Sequence, residues 1–196
     1  MLGRGTVHRF RSTLIAALLV ASCATPRNGV PATLRPFTAE LGRAFDDSAD
    51  FIEDVDAIGG RVASDWNRQI STLAAESDLI VSVRVETLTL GGDHDTARAY
   101  RLTAAASRDP ILGTLPNDRR VDLRVTEGEG GFNGVAQNEQ RLQTRPYVLF
   151  VRWYNDEGTP RAHWHLSPET TALVGRVREA SGALDPNAPR EEVIRQ

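Results

Sequence analysis

The chain is poor in the residues that most often carry covalent or metal chemistry. It has one cysteine, Cys23, one methionine and four histidines in 196 residues. A single thiol cannot close an internal disulfide or supply a cysteine-ligated metal site. All 23 basic residues are arginine, and the lack of lysine reads as the codon bias of a GC-rich genome. There is no G-x-S-x-G, and no Ser, His and acid set whose neighbours suggest a strained elbow, so a nucleophilic hydrolase has no visible centre. The stretch Gly128-Glu129-Gly130-Gly131-Phe132-Asn133-Gly134 has neither the G-x-G-x-x-G spacing nor a Lys-Ser/Thr ending, and no helical pattern is evident after it. It is expected to form a flexible hairpin loop and not a phosphate cradle. Acidic residues outnumber basic ones, giving a formal net charge of −3, which argues against nucleic acid as a partner.

What is present is concentrated first at the N-terminus. Arg4, Arg9 and Arg11 precede an apolar stretch from Leu14, which ends in Leu18-Leu19-Val20-Ala21-Ser22-Cys23. A basic region, a short apolar region and small residues before a cut are the parts of a secretory signal, and the stretch is too short to span a bilayer. This order resembles the lipobox of bacterial lipoproteins. The resemblance implies that residues 1–22 are removed and that Cys23 becomes the acylated first residue of the mature chain. An ordinary cleaved signal or an uncleaved amphipathic helix is the plainer alternative. Each buried methylene of an acyl chain contributes about 0.8 kcal/mol, so two or three chains give lasting attachment where one would not. Ala24 lacks the aspartate that resembles an inner-membrane retention signal, which implies a lipid-anchored outer-membrane protein of the cell envelope. Loss of the three arginines takes the formal charge from −3 to −6 in the mature chain.

Residues 23–36 hold Pro26, Pro31 and Pro36 with no apolar period and are expected to be a tether. From Phe37 the spacing becomes helical, through Leu41, Phe45, Ser48, Ile52, Val55, Gly59, Val62, Trp66, Gln69 and Leu73. Residues 37–76 are therefore expected to form an amphipathic helical segment broken at Gly59-Gly60, either packed on the domain or serving as a partner-binding arm. Its acidic residues, Asp46, Asp47, Asp50, Glu53, Asp54 and Asp56, fit a solvated helix face and lack the order of a calcium loop.

Alternation then replaces helical spacing. Leu79, Val81, Val83 and Val85 alternate with less apolar neighbours, after which the phase moves to Leu88 and Leu90; a bulge near Glu86-Thr87 accounts for the slip. Residues 78–107 read as a long hairpin, Val121, Leu123 and Val125 as a third strand, and Tyr147–Trp153 and Ala162–Leu166 as a second hairpin. Ser167-Pro168-Glu169 is expected to start a helix with Ala172, Leu173, Val177 and Ala180 on its buried side. Residues 182–196 read as a solvated tail, with Glu191-Glu192-Val193-Ile194 as an alternative docking turn. The expected fold class is α+β, mainly β with flanking helices. Residues 77–181 would form a five-stranded barrel, since closure removes the exposed edges of so short a sheet.

The strings Ser77-Asp78-Leu79-Ile80-Val81-Ser82-Val83-Arg84-Val85 and Pro146-Tyr147-Val148-Leu149-Phe150-Val151 resemble the first and a late strand of bacterial secreted proteins with an OB-like antiparallel barrel. That architecture is shared by netrin-type and metalloproteinase-inhibitor modules. Those inhibitors use a free N-terminal cysteine that reaches a catalytic metal, whereas the matching cysteine here would be acylated. No site residue is carried over from them.

Three histidines remain after the signal. His163 and His165, as i and i+2 on a strand, share a face and with His94 are the metal-ligand candidates, for zinc in a metal-binding protein or metal-assisted hydrolase. Trp164 and Leu166 should take the buried side, which would send both histidines to solvent. Phe132, Trp153 and Tyr154 are candidates for a partner-binding or carbohydrate-binding platform. With no catalytic constellation and no cofactor motif, the function expected is a non-catalytic binding or scaffold module. It would be held to a membrane through Cys23 and partnered by another envelope protein; loop-mediated protease inhibition is a further alternative.

Overall fold

The computed structural model describes residues 41–92, 97–156 and 159–182, together with positions 30, 31, 33, 34 and 38. The signal segment, Cys23, most of the tether, His94 and the tail beyond residue 182 lie outside the described residues.

Twelve elements follow one another: α1 (Leu41–Ala44), β1 (Ser48–Ala49), α2 (Val55–Ile58), α3 (Gly60–Glu76), β2 (Leu79–Gly91), β3 (Ala99–Ala106), β4 (Arg120–Thr126), α4 (Phe132–Gln137), α5 (Glu139–Thr144), β5 (Pro146–Asp156), β6 (Thr159–Pro168) and α6 (Thr171–Ala180). The fold is a six-stranded sheet in the order β1-β6-β5-β2-β3-β4 with helices on both faces. β1 runs parallel to β6, and every other neighbouring pair is antiparallel. It is mainly β with helices, as the alternation predicts, but it is not the expected five-stranded closed barrel. Among the described residues β1 and β4 end the sheet, with no ladder between them. The sheet does curl enough for the Trp164 indole of β6 to donate to the Arg124 carbonyl of β4 at 3.1 Å.

Both hairpins stand where the alternation places them, and the slip in β2 is a bulge: Val85 faces Ala104 while Thr87 faces Thr103, so Glu86 is the extra residue. On the concave face Leu79, Val81, Val83, Leu149, Val151, Trp164 and Leu166 form one core with Phe132, Val135 and Leu142. The last three come from α4 and α5, so the expected flexible loop at 128–134 is corrected: the chain after Gly131 turns into two short helices that lid this core. Neither reaches two full turns with an apolar period, which is why the spacing does not announce them.

The opposite face carries Ile80, Val148 and Phe150 against Trp66, Ile70, Leu73 and Ala74 of α3 and Leu173 and Val177 of α6. Two covered faces explain why residues 79–83 of β2 and 147–151 of β5 are buried without alternation. The helical reading of residues 37–76 holds only in part. α3 is a long helix beginning just after Gly59, whose φ of 65° breaks the chain. Residues 45–54 are instead an extended, turning segment. Its aspartates bond to β6 and to local amides instead of lining a solvated helix face. The start of α6 also shifts. β6 continues to Pro168, and Thr170 caps the helix by accepting from the Leu173 amide at 3.1 Å. Ala172 and Ala180 are exposed, leaving Leu173 and Val177 as its buried side.

Candidate functional site: a buried aspartate–histidine cluster

Trp164 and Leu166 point into the concave core, so His163, His165 and Ser167 project from the other face of β6. That face is not solvent. The segment around β1 lies along β6, with Ser48 opposite His165, the Asp47 amide bonded to the Trp164 carbonyl and the Asp50 amide bonded to that of Leu166. The expectation of two solvent-facing histidines is therefore corrected. His165 is 2% exposed and the His163 side chain 22%.

His165 is held from both sides. Its Nδ1 lies 2.9 Å from Asp46 Oδ1 and its Nε2 lies 3.2 Å from Asp50 Oδ2. The same Asp50 oxygen accepts from the Trp66 indole at 3.0 Å and from the Ser167 hydroxyl at 2.5 Å, while Asp50 Oδ1 accepts from the Ile52 amide. An imidazole that meets a carboxylate at each nitrogen donates twice and carries a positive charge. Burial alone would lower its pKa, but the hydrogen bonds and charges of Asp46 and Asp50 outweigh burial and raise it from 6.5 to about 9. Burial likewise pushes the Asp46 and Asp50 carboxyls up, and the bonds and charge of His165 prevail to hold both below the ordinary carboxylate range.

His163 has a different arrangement. Its Nδ1 is 2.6 Å from Asp47 Oδ2, its ring stacks on Tyr154 with centroids 4.4 Å apart, and Asp47 Oδ1 accepts from the Trp164 amide at 3.0 Å. For Asp47 burial prevails over the His163 bond, and its carboxyl is raised. Asp47 also occupies the left-handed region at φ 54°, and its carbonyl sits where Gly131 must approach. A Cβ on Gly131 would stand 2.0 Å from that oxygen.

The chemistry open to this cluster is narrow. A doubly bonded imidazolium has no lone pair for a metal and is a poor base at neutral pH. Among the described residues no group of three or more His, Cys, Asp or Glu is disposed to hold a metal ion. His163 and His165 are adjacent but committed to separate carboxylates, and His94 lies outside the described residues. Of the aromatic candidates, Phe132 is buried against Tyr100 with ring centroids 5.2 Å apart. Trp153 is half-buried on the concave core, and Tyr154 stacks on His163 on the other face, so the three do not form one platform. Sequence reasoning missed Asp46, Asp50, Trp66 and Ser167. The aspartates lie more than a hundred residues from their histidines, and no local signal links the two.

No helix among the described residues is long and apolar enough to cross a membrane. No protein-family model, curated protein or solved structure matches the chain.

Proposed function

We propose that the protein is a lipid-anchored envelope protein whose domain is a non-catalytic binding or scaffold module, attached through acylated Cys23 and held off the membrane by residues 24–36. The Cys23 motif carries this reading, because it is the one segment whose residue order has a specific chemical consequence. The fold supports the non-catalytic part: its most chemically suggestive residues are spent on holding the β1 segment to β6.

The partner surface is drawn from what the two cores leave uncovered. Ile58 and Val62 are 47% and 57% exposed where α2 meets α3, the most exposed large apolar side chains among the described residues. Deletion of residues 37–76 is not a usable test, since Phe45, Trp66, Ile70 and Leu73 belong to the core. The experiment is a pull-down of the acylated protein from cross-linked membranes, compared with Cys23→Ala and with Ile58→Glu/Val62→Glu. A stoichiometric envelope protein lost with the second variant is the expected result. Unchanged membrane fractionation of Cys23→Ala would overturn the anchor, and bound zinc with no protein partner would overturn the module reading.

A further inference from the structure

We propose that the cleft between α6 and the Arg84 end of the sheet binds a phosphate-type oxyanion. The cleft has a volume of about 620 Å³ and its polar lining includes Arg84, Ser107, Arg108, Glu169, the Thr170–Thr171 pair and Arg178. These residues come from three separate parts of the chain. Arg84 stands opposite Pro146 at the end of the β2–β5 ladder, Ser107 and Arg108 follow β3, and the rest lead into and along α6.

The charge is unevenly settled there. Glu169, whose side chain is 11% exposed, pairs with Arg108 at 3.4 Å. Among the described residues neither Arg84 nor Arg178 has an ion-pair or hydrogen-bond partner for its guanidinium, although acidic residues outnumber basic ones over the whole chain. Two uncompensated guanidiniums in one cleft match the charge of a phosphate group, about −1.5 to −2 at neutral pH, and a guanidinium fork fits its oxygens bidentately. The Ser107 hydroxyl already donates to the Ser82 carbonyl at 3.1 Å, which leaves it an oxygen facing the cleft region as an acceptor only. The Thr171 hydroxyl and the Thr170 hydroxyl, whose oxygen accepts from the Leu173 amide but whose proton is still available, are the neutral donors beside the two arginines. A shallower recess of about 280 Å³ continues past Pro146, Glu169 and Thr170 towards Arg145 and gives room for the body that carries the phosphate.

This goes beyond the partner-binding reading and does not depend on it, since Ile58 and Val62 do not line the cleft. The test uses the full-length chain carrying Cys23→Ala in detergent, titrated calorimetrically with inorganic phosphate, beside the same chain with Arg84→Ala/Arg178→Ala. Both side chains are exposed, so the double variant keeps its core. Saturable binding that weakens at least about tenfold in the double variant, and weakens with added salt, is expected. A second arm measures flotation with phosphatidylcholine vesicles with and without phosphatidic acid. An Arg-dependent gain on the acidic vesicles assigns the phosphate to a lipid headgroup, and phosphate binding without that gain assigns it to a soluble ligand. Absence of saturable binding in both arms, or equal binding by the double variant, overturns the proposal.

Discussion

His163 and His165 stand two residues apart on one strand and one face, each against aspartates of the β1 segment, yet they are different objects. His165 is sealed between two carboxylates and is held charged. His163 meets Asp47 at a position still partly open to solvent, and there burial raises the acid above its ordinary value. Burial opposes charge at both places. Burial raises all three carboxyls; the hydrogen bonds and charge of His165 outweigh it at Asp46 and Asp50, whereas at Asp47 burial, with Glu129 adding to it, prevails over the bond to His163.

That contrast is broken most severely by removing the centre of the larger cluster. His165→Ala leaves the largely buried Asp50 and the partly exposed Asp46 without their counter-ion and is expected to cost about 3 kcal/mol, the low end for a broken buried pair because Asp46 reaches water, measured by chemical denaturation. A loss under 1 kcal/mol would mean that the cluster is solvated.

The next largest effect is on pH dependence. The folded pKa of His165 is raised, so its contribution is complete below about 6.5 and is lost as pH rises through about 9. The ceiling of that loss is about 3 kcal/mol. Asp46 and Asp50 are depressed, so their contribution is present above the ordinary carboxylate range and is lost on further acidification. Stability followed from pH 4 to 10 should peak on the acidic side of neutrality and fall between pH 6.5 and 9, and the His165→Ala chain should lack that alkaline fall.

Gly131→Ala probes the scaffold that both clusters share. The new methyl would meet backbone oxygens of Asp47 and Asp46 at 2.0 and 2.8 Å, so the segment must shift, at a cost of about 1–3 kcal/mol. An unchanged denaturation midpoint would show that α4 does not pin the β1 segment. His163→Gln is expected to cost only about 1 kcal/mol, because its pair with Asp47 is partly open to water. The smallest effect is expected from metal. Zinc or a chelator should move the melting temperature by less than about 1 °C, since binding to the native state alone would raise it; a clear zinc-dependent rise would return the histidines to a ligand role.

Much of the sheet was legible before its structure. Alternation in 79–90, the Glu86 bulge, both hairpins and the burial of Trp164 and Leu166 are local consequences of period-two patterning, because a strand shows its faces in its own residues. The helix broken at Gly59 was legible for the same reason. The cluster was not. Asp46, Asp47 and Asp50 have a spacing equally suited to a polar helix face, and β1 has only two residues and so no period at all. The short α4 and α5 fail similarly, since helices of six residues draw their stability from the core they cover and not from their own sequence.

The sequence by itself determined the strand pattern, the single thiol at Cys23 and the surplus of acid, all properties of neighbouring residues or of composition. Only the tertiary structure decided that the sheet stays open, that its second face is covered, and that of two histidines expected in water one is enclosed and the other held by aspartates a hundred residues away. A strand's pattern tells which side chains share a face. What lies against that face depends on segments a hundred residues away, and on whether their charges can outweigh the loss of water.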